Sequence, residues 1–528
     1  MQVINSKKMD GLSLPSGLVS GAFSLTLSTI IVKILGLIYK IPLSSMLGDE
    51  GMGYFNSAYT VYAFFYLLCT AGVPKAVMIM VSEAKAKGRA IEERRIVNVA
   101  SIMFFTLGIV VTSLFVLFSG KLAALIGNSR SAATMIAIAP SIIFISLSGV
   151  IRGYLSANMR LIDIAVSQIV EGVGKLALGL IFASFGRRLS LPLEIISALT
   201  ILGVTFGAMF GLVYLLICSK IKISKEKEGQ NEYSASKRHI ARRILSISIP
   251  ITVSAAVMSI TNIIDLGLIM RSLVHIGYSE SQASALYGNY TTLAVPMLNL
   301  AVSIITPISV AFLPTFTESI VRFDDEGLLN TQKSAFEITA FLSAPMTVGL
   351  MLFAREILDL LFKNSSTDIG AALLCSLAPS ILFSSTLINV NTLLEAKGMV
   401  KAPLVSMLFG SIGKVFVSYF VITRTDLGIF GAPIGTVVSY GIALAVSLII
   451  YGSAFKRSVP VLKANIIPYT LALLSVGVAR MIFDLGPKSV LSLILAILLA
   501  ALIYLGFSTV FAFLGGRKIS KLAKYTNL

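Results

Sequence analysis

A chain of 528 residues that is 56% hydrophobic and only 13% charged is not a water-soluble multidomain protein, and its positive mean hydropathy points to a polytopic membrane protein. The net charge of +18 does not argue for nucleic acid, because in a membrane chain lysine and arginine mark the cytoplasmic loops.

Lys7 and Lys8 precede an apolar run that continues to about Leu43 without a small-residue cleavage site, so the run reads as a first span rather than a signal peptide. Stretches of about 20 apolar residues, enough to cross the hydrocarbon core, then recur along the chain. Six lie at residues 17–43, 54–80, 96–118, 132–156, 161–184 and 194–218. A polar, basic segment, 219–243, separates them from six more at 244–270, 286–315, 334–354, 369–394, 402–422 and 429–452. Two further stretches, 464–483 and 489–513, bring the total to fourteen. Threading this count through the membrane puts most lysines and arginines on the side of the N-terminus, so both ends are expected in the cytoplasm. The 219–243 segment has no aromatic series for base stacking and reads as a solvated connector near anionic headgroups. Cys69, Cys218 and Cys375 sit in apolar runs without metal or redox spacing.

The chain repeats itself. Residues 139–175 (APSIIFISLSGVIRGYLSANMRLIDIAVSQIVEGVGK) return as residues 378–414 (APSILFSSTLINVNTLLEAKGMVKAPLVSMLFGSIGK), 239 positions downstream without a gap. Twelve of the 37 aligned positions are identical, including Pro140/Pro379, Ser167/Ser406 and Lys175/Lys414. A second correspondence sets Tyr54, Asn56 and Pro74 against Tyr287, Asn289 and Pro307. The expected fold is therefore an all-α membrane protein with fourteen transmembrane helices. Two six-helix lobes (1–218 and 244–452) form a parallel repeat about a pseudo-two-fold axis along the membrane normal. The basic linker 219–243 joins them, and residues 453–528 supply helices 13 and 14 and a cytoplasmic tail.

No catalytic constellation is present: there are two histidines, no HExxH or GxSxG, and the GK pairs at Gly174 and Gly413 lack the rest of a phosphate loop. The informative residues are ionisable groups inside spans, where a charge costs about 2.5–3.5 kcal/mol even on the lenient insertion scale. Lys33, Lys40, Lys75, Lys175 and Lys414 outnumber the acids Glu171 and Asp265, which implies an electropositive interior suited to an anionic substrate. Each has a plainer reading. Lys175 follows Glu171 by four residues and so stands at ion-pair spacing, Lys40 and Lys75 are near span ends and can snorkel, and Lys414 suits either a cavity or pairing across lobes. Asp265, six residues before Arg271, is either half of an ion pair or a proton- or sodium-linked carboxylate.

Four stretches together resemble one family: YKIPLSSMLGDEGMGYFNSAY, AGVPKAV, RGY followed by AVSQIVEG, and IIDLGLIMRSLVHIGYSESQASALYGNY. They are similar to the polysaccharide biosynthesis and stage V sporulation protein B branch of the multidrug/oligosaccharidyl-lipid/polysaccharide exporter superfamily, related to lipid II flippases. The resemblance implies two six-helix lobes around a basic cavity that takes a pyrophosphate-linked sugar headgroup, with two C-terminal helices forming a groove for the lipid tail. By position, Lys33 and Lys40 fall where flippases carry cavity arginines, and Arg152 and Glu171 match the RGY and AVSQxxE pattern.

The resulting expectation is a non-enzymatic flippase for an undecaprenyl-pyrophosphate-linked precursor, lipid II or a related oligosaccharide, serving the spore cortex by alternating access in the bacterial inner membrane. Substrate contacts are expected from Lys33, Lys40, Lys75, Lys175, Lys414, Arg152, Asn56 and Asn289. Ion pairing or ion coupling is expected from Glu171, Asp265 and Arg271. No cofactor, metal or nucleic-acid partner is expected; a proton or sodium gradient or the membrane potential supplies the drive, and cell-wall synthases and membrane lipids are the expected associates. The runner-up is a cation-coupled multidrug exporter, and a third reading is a scaffold for cell-wall enzymes.

Overall fold

The computed structural model describes residues 16–220, 236–362, 366–456 and 461–514. Lys7, Lys8, most of the basic linker (221–235) and the C-terminal tail lie outside the described residues. Among the described residues there is no strand. A bilayer offers the backbone no water, and a helix satisfies its N–H and C=O groups within itself. Seven helices precede the linker: α1 (Ser16–Thr70), α2 (Val73–Ala86), α3 (Ala90–Leu125), α4 (Ala132–Ile138), α5 (Ser141–Ala157), α6 (Leu161–Arg188) and α7 (Leu193–Lys220). Ten follow it: α8 (Lys237–His275), α9 (Glu280–Asn289), α10 (Val295–Ala311), α11 (Leu313–Val321), α12 (Asp325–Leu352), α13 (Ala354–Leu361), α14 (Thr367–Leu377), α15 (Ser380–Ala396), α16 (Ala402–Arg424) and α17 (Gly431–Phe455). Helices α18 (Val461–Leu485) and α19 (Val490–Leu514) close the chain.

Ten helical stretches among the described residues are long and apolar enough to cross a membrane, or twelve if each of two bent pairs is one span. Fourteen spans are compatible with this. Helix α1 holds two expected spans on either side of a break at Gly48, whose φ of 64° lies in the left-handed region that glycine enters without a Cβ penalty. Helix α8, 39 residues with Pro250 inside it, carries a further one.

The duplication is visible in the helix order. Helices α5 and α15 are each 17 residues long and start at equivalent positions. Each is led by a proline, Pro140 at φ −62° and Pro379 at φ −57°. Each also forms a bent pair with the helix before it, at 42° for α4–α5 and 40° for α14–α15. Proline explains the shared break, since its ring suits a first helical turn but cannot continue a hydrogen-bond ladder from the preceding helix. One expected equivalence shifts. Pro74 opens α2 after the break at residues 71–72, and the residue doing the same for α11 is Pro314, whereas Pro307 lies inside α10. A short π-helical stretch, Tyr290–Ala294, precedes α10 and has no counterpart in α1.

Two compact units can be distinguished by contacts: Met1–Tyr39, Ala58–Gly120 and Ala132–Ile260 make the first, and Lys40–Ser57, Lys121–Ser131 and Thr261–Leu528 the second. In the first unit, Val77 and Val81 of α2 pack with Ile96 and Phe104 of α3 and Ile244 of α8. In the second, Phe336 of α12, Leu393 of α15 and Tyr451 of α17 form one core, and Phe353, Phe483 and Tyr504 form another that holds α18 and α19 against α12. Residues 49–57 of α1 cross α9 at very short range in this unit. A Cβ on Gly53 would stand 2.0 Å from the Ser284 carbonyl oxygen, and one on Gly288 2.0 Å from that of Asp49.

Helix α18 is fastened by Arg480. Its guanidinium pairs with Glu356 of α13 at 2.7 Å and Asp484 at 3.1 Å, donates to the Leu352 carbonyl at 3.0 Å, and lies over the Phe353 and Phe483 rings at 5.3 and 5.6 Å. Charge-assisted hydrogen bonds of this kind contribute about 1.5–3 kcal/mol. Arg480→Ala is therefore expected to lower stability by about 2 kcal/mol, read as a fall in the thermal midpoint of the detergent-solubilised protein.

Candidate functional site

Charged side chains gather inside the first unit where α1, α5 and α6 meet. Arg152 on α5 donates through Nη2 to Glu171 Oε2 on α6 at 2.9 Å. Both are only partly exposed, 16% and 30% at the side chain. The guanidinium Nε is buried and has no hydrogen-bond partner. One turn beyond Glu171, Lys175 turns its ammonium onto aromatic faces, 5.0 Å from the Tyr59 ring centroid and 5.5 Å from that of Tyr39. Cation–π contacts of this sort contribute about 0.5–2 kcal/mol. Tyr59, Tyr62 and Tyr66 share one face of α1 by their three- and four-residue spacing, with ring centroids 5.7 and 6.0 Å apart in succession. Glu171 is within electrostatic reach of all three. Tyr39 is buried, and its hydroxyl donates to the Thr200 carbonyl at 3.4 Å.

The four-residue spacing of Glu171 and Lys175 does not produce an ion pair. A solvated helical pair is worth only about 0.3–0.5 kcal/mol, less than the charge-assisted bond Glu171 makes to Arg152 from the neighbouring helix. With one carboxylate against two cations, this cluster keeps an excess positive charge.

In the second unit the equivalent lysine has a different fate. Lys414 on α16 forms an ion pair with Asp265 on α8, Nζ to Oδ2 at 2.7 Å, with side chains 17% and 11% exposed. The pair is internally neutral, and Asp265 Oδ1 is buried without a hydrogen bond. Nearby, the Tyr290 and Thr436 hydroxyls are 3.2 Å apart. Arg271 is not the partner of Asp265; it reaches the Ala124 carbonyl at 3.5 Å.

The remaining expected residues are dispersed. Lys33 is exposed on α1, and Lys75 is exposed at the start of α2. Lys40 donates to the Thr291 carbonyl at 3.0 Å, and Asn56 donates to Thr292 Oγ1 at 2.8 Å. Asn289 donates to Asp49 Oδ2 at 3.3 Å and to the Ser366 carbonyl at 2.8 Å. The structure thus joins Arg152, Glu171 and Lys175 in one cluster and Asp265 with Lys414 in another. The two asparagines are engaged in helix-to-helix bonds of the second unit.

Residues 18–320 match the model of the polysaccharide biosynthesis protein family. The chain belongs to this family. Its relatives include stage V sporulation protein B of Bacillus subtilis (strain 168), 24% identical over 79% of this chain and 80% of that one. The lipid II flippase MurJ of the same organism is 25% identical over 80% of this chain and 81% of that protein. Among solved structures, lipid II flippase MurJ in an inward closed conformation shares the fold with a TM-score of 0.69 at 17% identity, covering 92% of this chain and 98% of that one. An inward-facing multidrug resistance MATE family transporter of the same exporter superfamily gives 0.67 at 15% identity, covering 83% and 99%. The chain is thus a multi-pass membrane protein with the fold of that superfamily, and the proteins it is similar to include a lipid II flippase and a multidrug transporter.

For a member of this family, sequence reasoning missed the tyrosines. Tyr39 and Tyr59 carry Lys175, yet the expected site residues were charged groups and two asparagines, with no aromatic among them. The signal was present in the spacing of Tyr59, Tyr62 and Tyr66, which marks one helical face. Asp49, which accepts from Asn289 and from the Ser366 backbone N–H at 3.1 Å, had no such local signal.

Proposed function

We propose that this protein is a flippase for a polyprenyl-pyrophosphate-linked cell-wall precursor, lipid II or a related lipid-linked oligosaccharide, used in building the spore cortex. The observation that carries the reading is the unequal treatment of the duplicated lysines. Lys414 is neutralised by Asp265, whereas Lys175 lies over tyrosine rings beside an arginine, so the α5–α6 cluster keeps a positive charge at span depth. Such a charge is costly in a bilayer unless an anion visits it, and a pyrophosphate headgroup is such an anion. The names of the two curated relatives, a lipid II flippase and a sporulation protein, support the same class.

In this reading the lobes 1–218 and 244–452 rock about the linker 219–243 between inward-open and outward-open states in the bacterial cytoplasmic membrane, with both termini in the cytoplasm. Residues 453–528 add the two helices beside which the lipid tail travels. Arg152 and Lys175 receive the headgroup, and Lys33, Lys40 and Lys75 lie along its route. Asn56 and Asn289 release their helix contacts as the state changes. The Asp265–Lys414 pair responds to a proton or sodium gradient or to the membrane potential. Cell-wall synthases take up the product.

A cation-coupled multidrug exporter shares the fold, but a positively charged cluster repels organic cations. A scaffold for cell-wall enzymes gives the span-depth cations no task. Reconstitution into liposomes with fluorescent lipid II, and separately with a labelled capsule-type lipid-linked sugar, tests the proposal through headgroup accessibility to an impermeant quencher. Movement of one of these supports it, and export of organic cations with movement of neither overturns it. Lys33→Ala is expected to slow translocation by about tenfold, equivalent to ~1.4 kcal/mol, with membrane abundance unchanged; an unchanged rate would remove Lys33 from the route.

A further inference from the structure

We infer that Glu171 is a built-in, displaceable counter-ion: its carboxylate occupies Arg152 in place of the substrate's phosphate and leaves when a pyrophosphate arrives. The inference rests on the proposed handling of a pyrophosphate headgroup and assigns Glu171 a specificity role that the flippase reading does not contain. Three features support it.

First, the Arg152–Glu171 contact is half-made. A guanidinium can present two parallel N–H groups to one carboxylate, but here only Nη2 is used, at 2.9 Å, and the buried Nε donates to nothing. An unsatisfied buried donor of this kind normally has a partner, and a phosphate oxygen supplies an acceptor of the right charge. Second, Glu171 is the more exposed of the two, at 30% against 16%, so the carboxylate is the group that can withdraw. Third, Lys175 is one helical turn away and has no carboxylate within ion-pair distance among the described residues. Its contacts with Tyr39 and Tyr59 are weak enough to be exchanged for a phosphate.

Together these define an exchange. In the empty state Glu171 holds Arg152, which reduces the charge exposed at span depth. A pyrophosphate carries enough negative charge and enough oxygens to take Arg152 through Nη and Nε and Lys175 through its ammonium. An anion with less charge and fewer oxygens, such as a monophosphate, repays the loss of the internal pair less fully. Glu171 therefore acts as a threshold for how anionic the cargo must be. The second copy has no such device, since its equivalents of Arg152 and Glu171 are Asn391 and Gly410.

Farnesyl pyrophosphate and farnesyl monophosphate are suitable probes, titrated against the full chain in detergent by intrinsic fluorescence or calorimetry. Glu171→Gln is expected to tighten farnesyl pyrophosphate binding about tenfold and to tighten the monophosphate more, so that discrimination between them shrinks. Arg152→Gln is expected to weaken pyrophosphate binding at least tenfold. Glu171→Asp, which keeps the charge but shortens the reach to Arg152, falls between wild type and Glu171→Gln and decides the matter if the glutamine variant does not fold. Binding gained by the variants where wild type shows none also supports the exchange. Unchanged or weaker pyrophosphate binding in both Glu171 variants, or no binding by any of them, overturns it. Because these are equilibrium measurements on a soluble probe, they can fail while lipid II movement in liposomes succeeds, and the reverse, which separates this inference from the flippase reading.

Discussion

Asp265→Asn and Lys414→Met, made separately, are each expected to destabilise the protein by about 3–5 kcal/mol, and together by far less than their sum. The reason is the asymmetry of buried ion pairs. At 2.7 Å, with side chains 11% and 17% exposed, each partner's desolvation is offset mainly by the other. Removing one leaves an unpaired charge inside a spanning bundle, whereas removing both leaves a neutral amide and an apolar chain of similar volume. The second oxygen of Asp265 already lacks a donor, so the native pair is not an optimal one and the double variant gives up little. Thermal unfolding of the four proteins in one detergent provides the double-mutant cycle. Additive losses would show that the two groups act separately. The cycle also bears on the drive for transport. If Asp265 takes a proton or sodium ion during the cycle, the double variant stays folded but loses its dependence on that gradient.

Much of the fold was legible because its signals are local. Apolar runs mark spans wherever they occur, and the 239-residue repeat shows itself as two 17-residue helices led by Pro140 and Pro379, since a proline imposes the helix start without help from distant residues. The equivalence of Pro74 was misassigned to Pro307 for a related reason. Proline can also sit within a span, as Pro307 does inside α10, so a proline in an apolar run does not by itself mark a helix start. Partner choice was the least legible part. Lys414 and Asp265 come from helices far apart in the chain, and the Glu171–Lys175 spacing favoured a pair that loses to Arg152 on the next helix.

The packing between α6 and α7 shows how the two copies came to differ. A Cβ on Gly207 of α7 would stand 2.6 Å from the Glu171 carbonyl oxygen, so the first copy keeps its small residue on α7 and leaves α6 able to carry a carboxylate. Glycines face this seam from both helices in each copy, but at the position equivalent to Glu171 the second copy has its glycine on the other helix. Gly410 of α16 faces Ser439 of α17, where an added Cβ would be 2.5 Å from the Ser439 carbonyl oxygen. Close helix contact is preserved by both solutions, but only the first leaves room for the Arg152–Glu171 pair beside Lys175.

From that difference follows the largest functional effect expected of a single substitution: Lys175→Met slows lipid-linked substrate movement by about a hundredfold, whereas the Asp265→Asn, Lys414→Met double variant keeps binding of the same headgroup. A phosphate contact made in a water-poor site is a charge-assisted bond, and losing one together with its Coulomb attraction removes about 3 kcal/mol, which is a factor of about a hundred. Stability changes little, because Lys175 gives up only ring contacts and the methionine that replaces it packs against the same tyrosines. Lys175→Arg retains the charge but brings a planar fork in place of a compact ammonium, and is expected to restore binding more than movement. The readouts are the initial rate of headgroup exposure in liposomes, the thermal midpoint, and farnesyl pyrophosphate affinity. A normal rate in Lys175→Met would show that the excess charge of the α5–α6 cluster serves the fold alone. A hundredfold loss with an unchanged midpoint would show that, of the two duplicated lysines, the one left without a carboxylate partner serves the cargo.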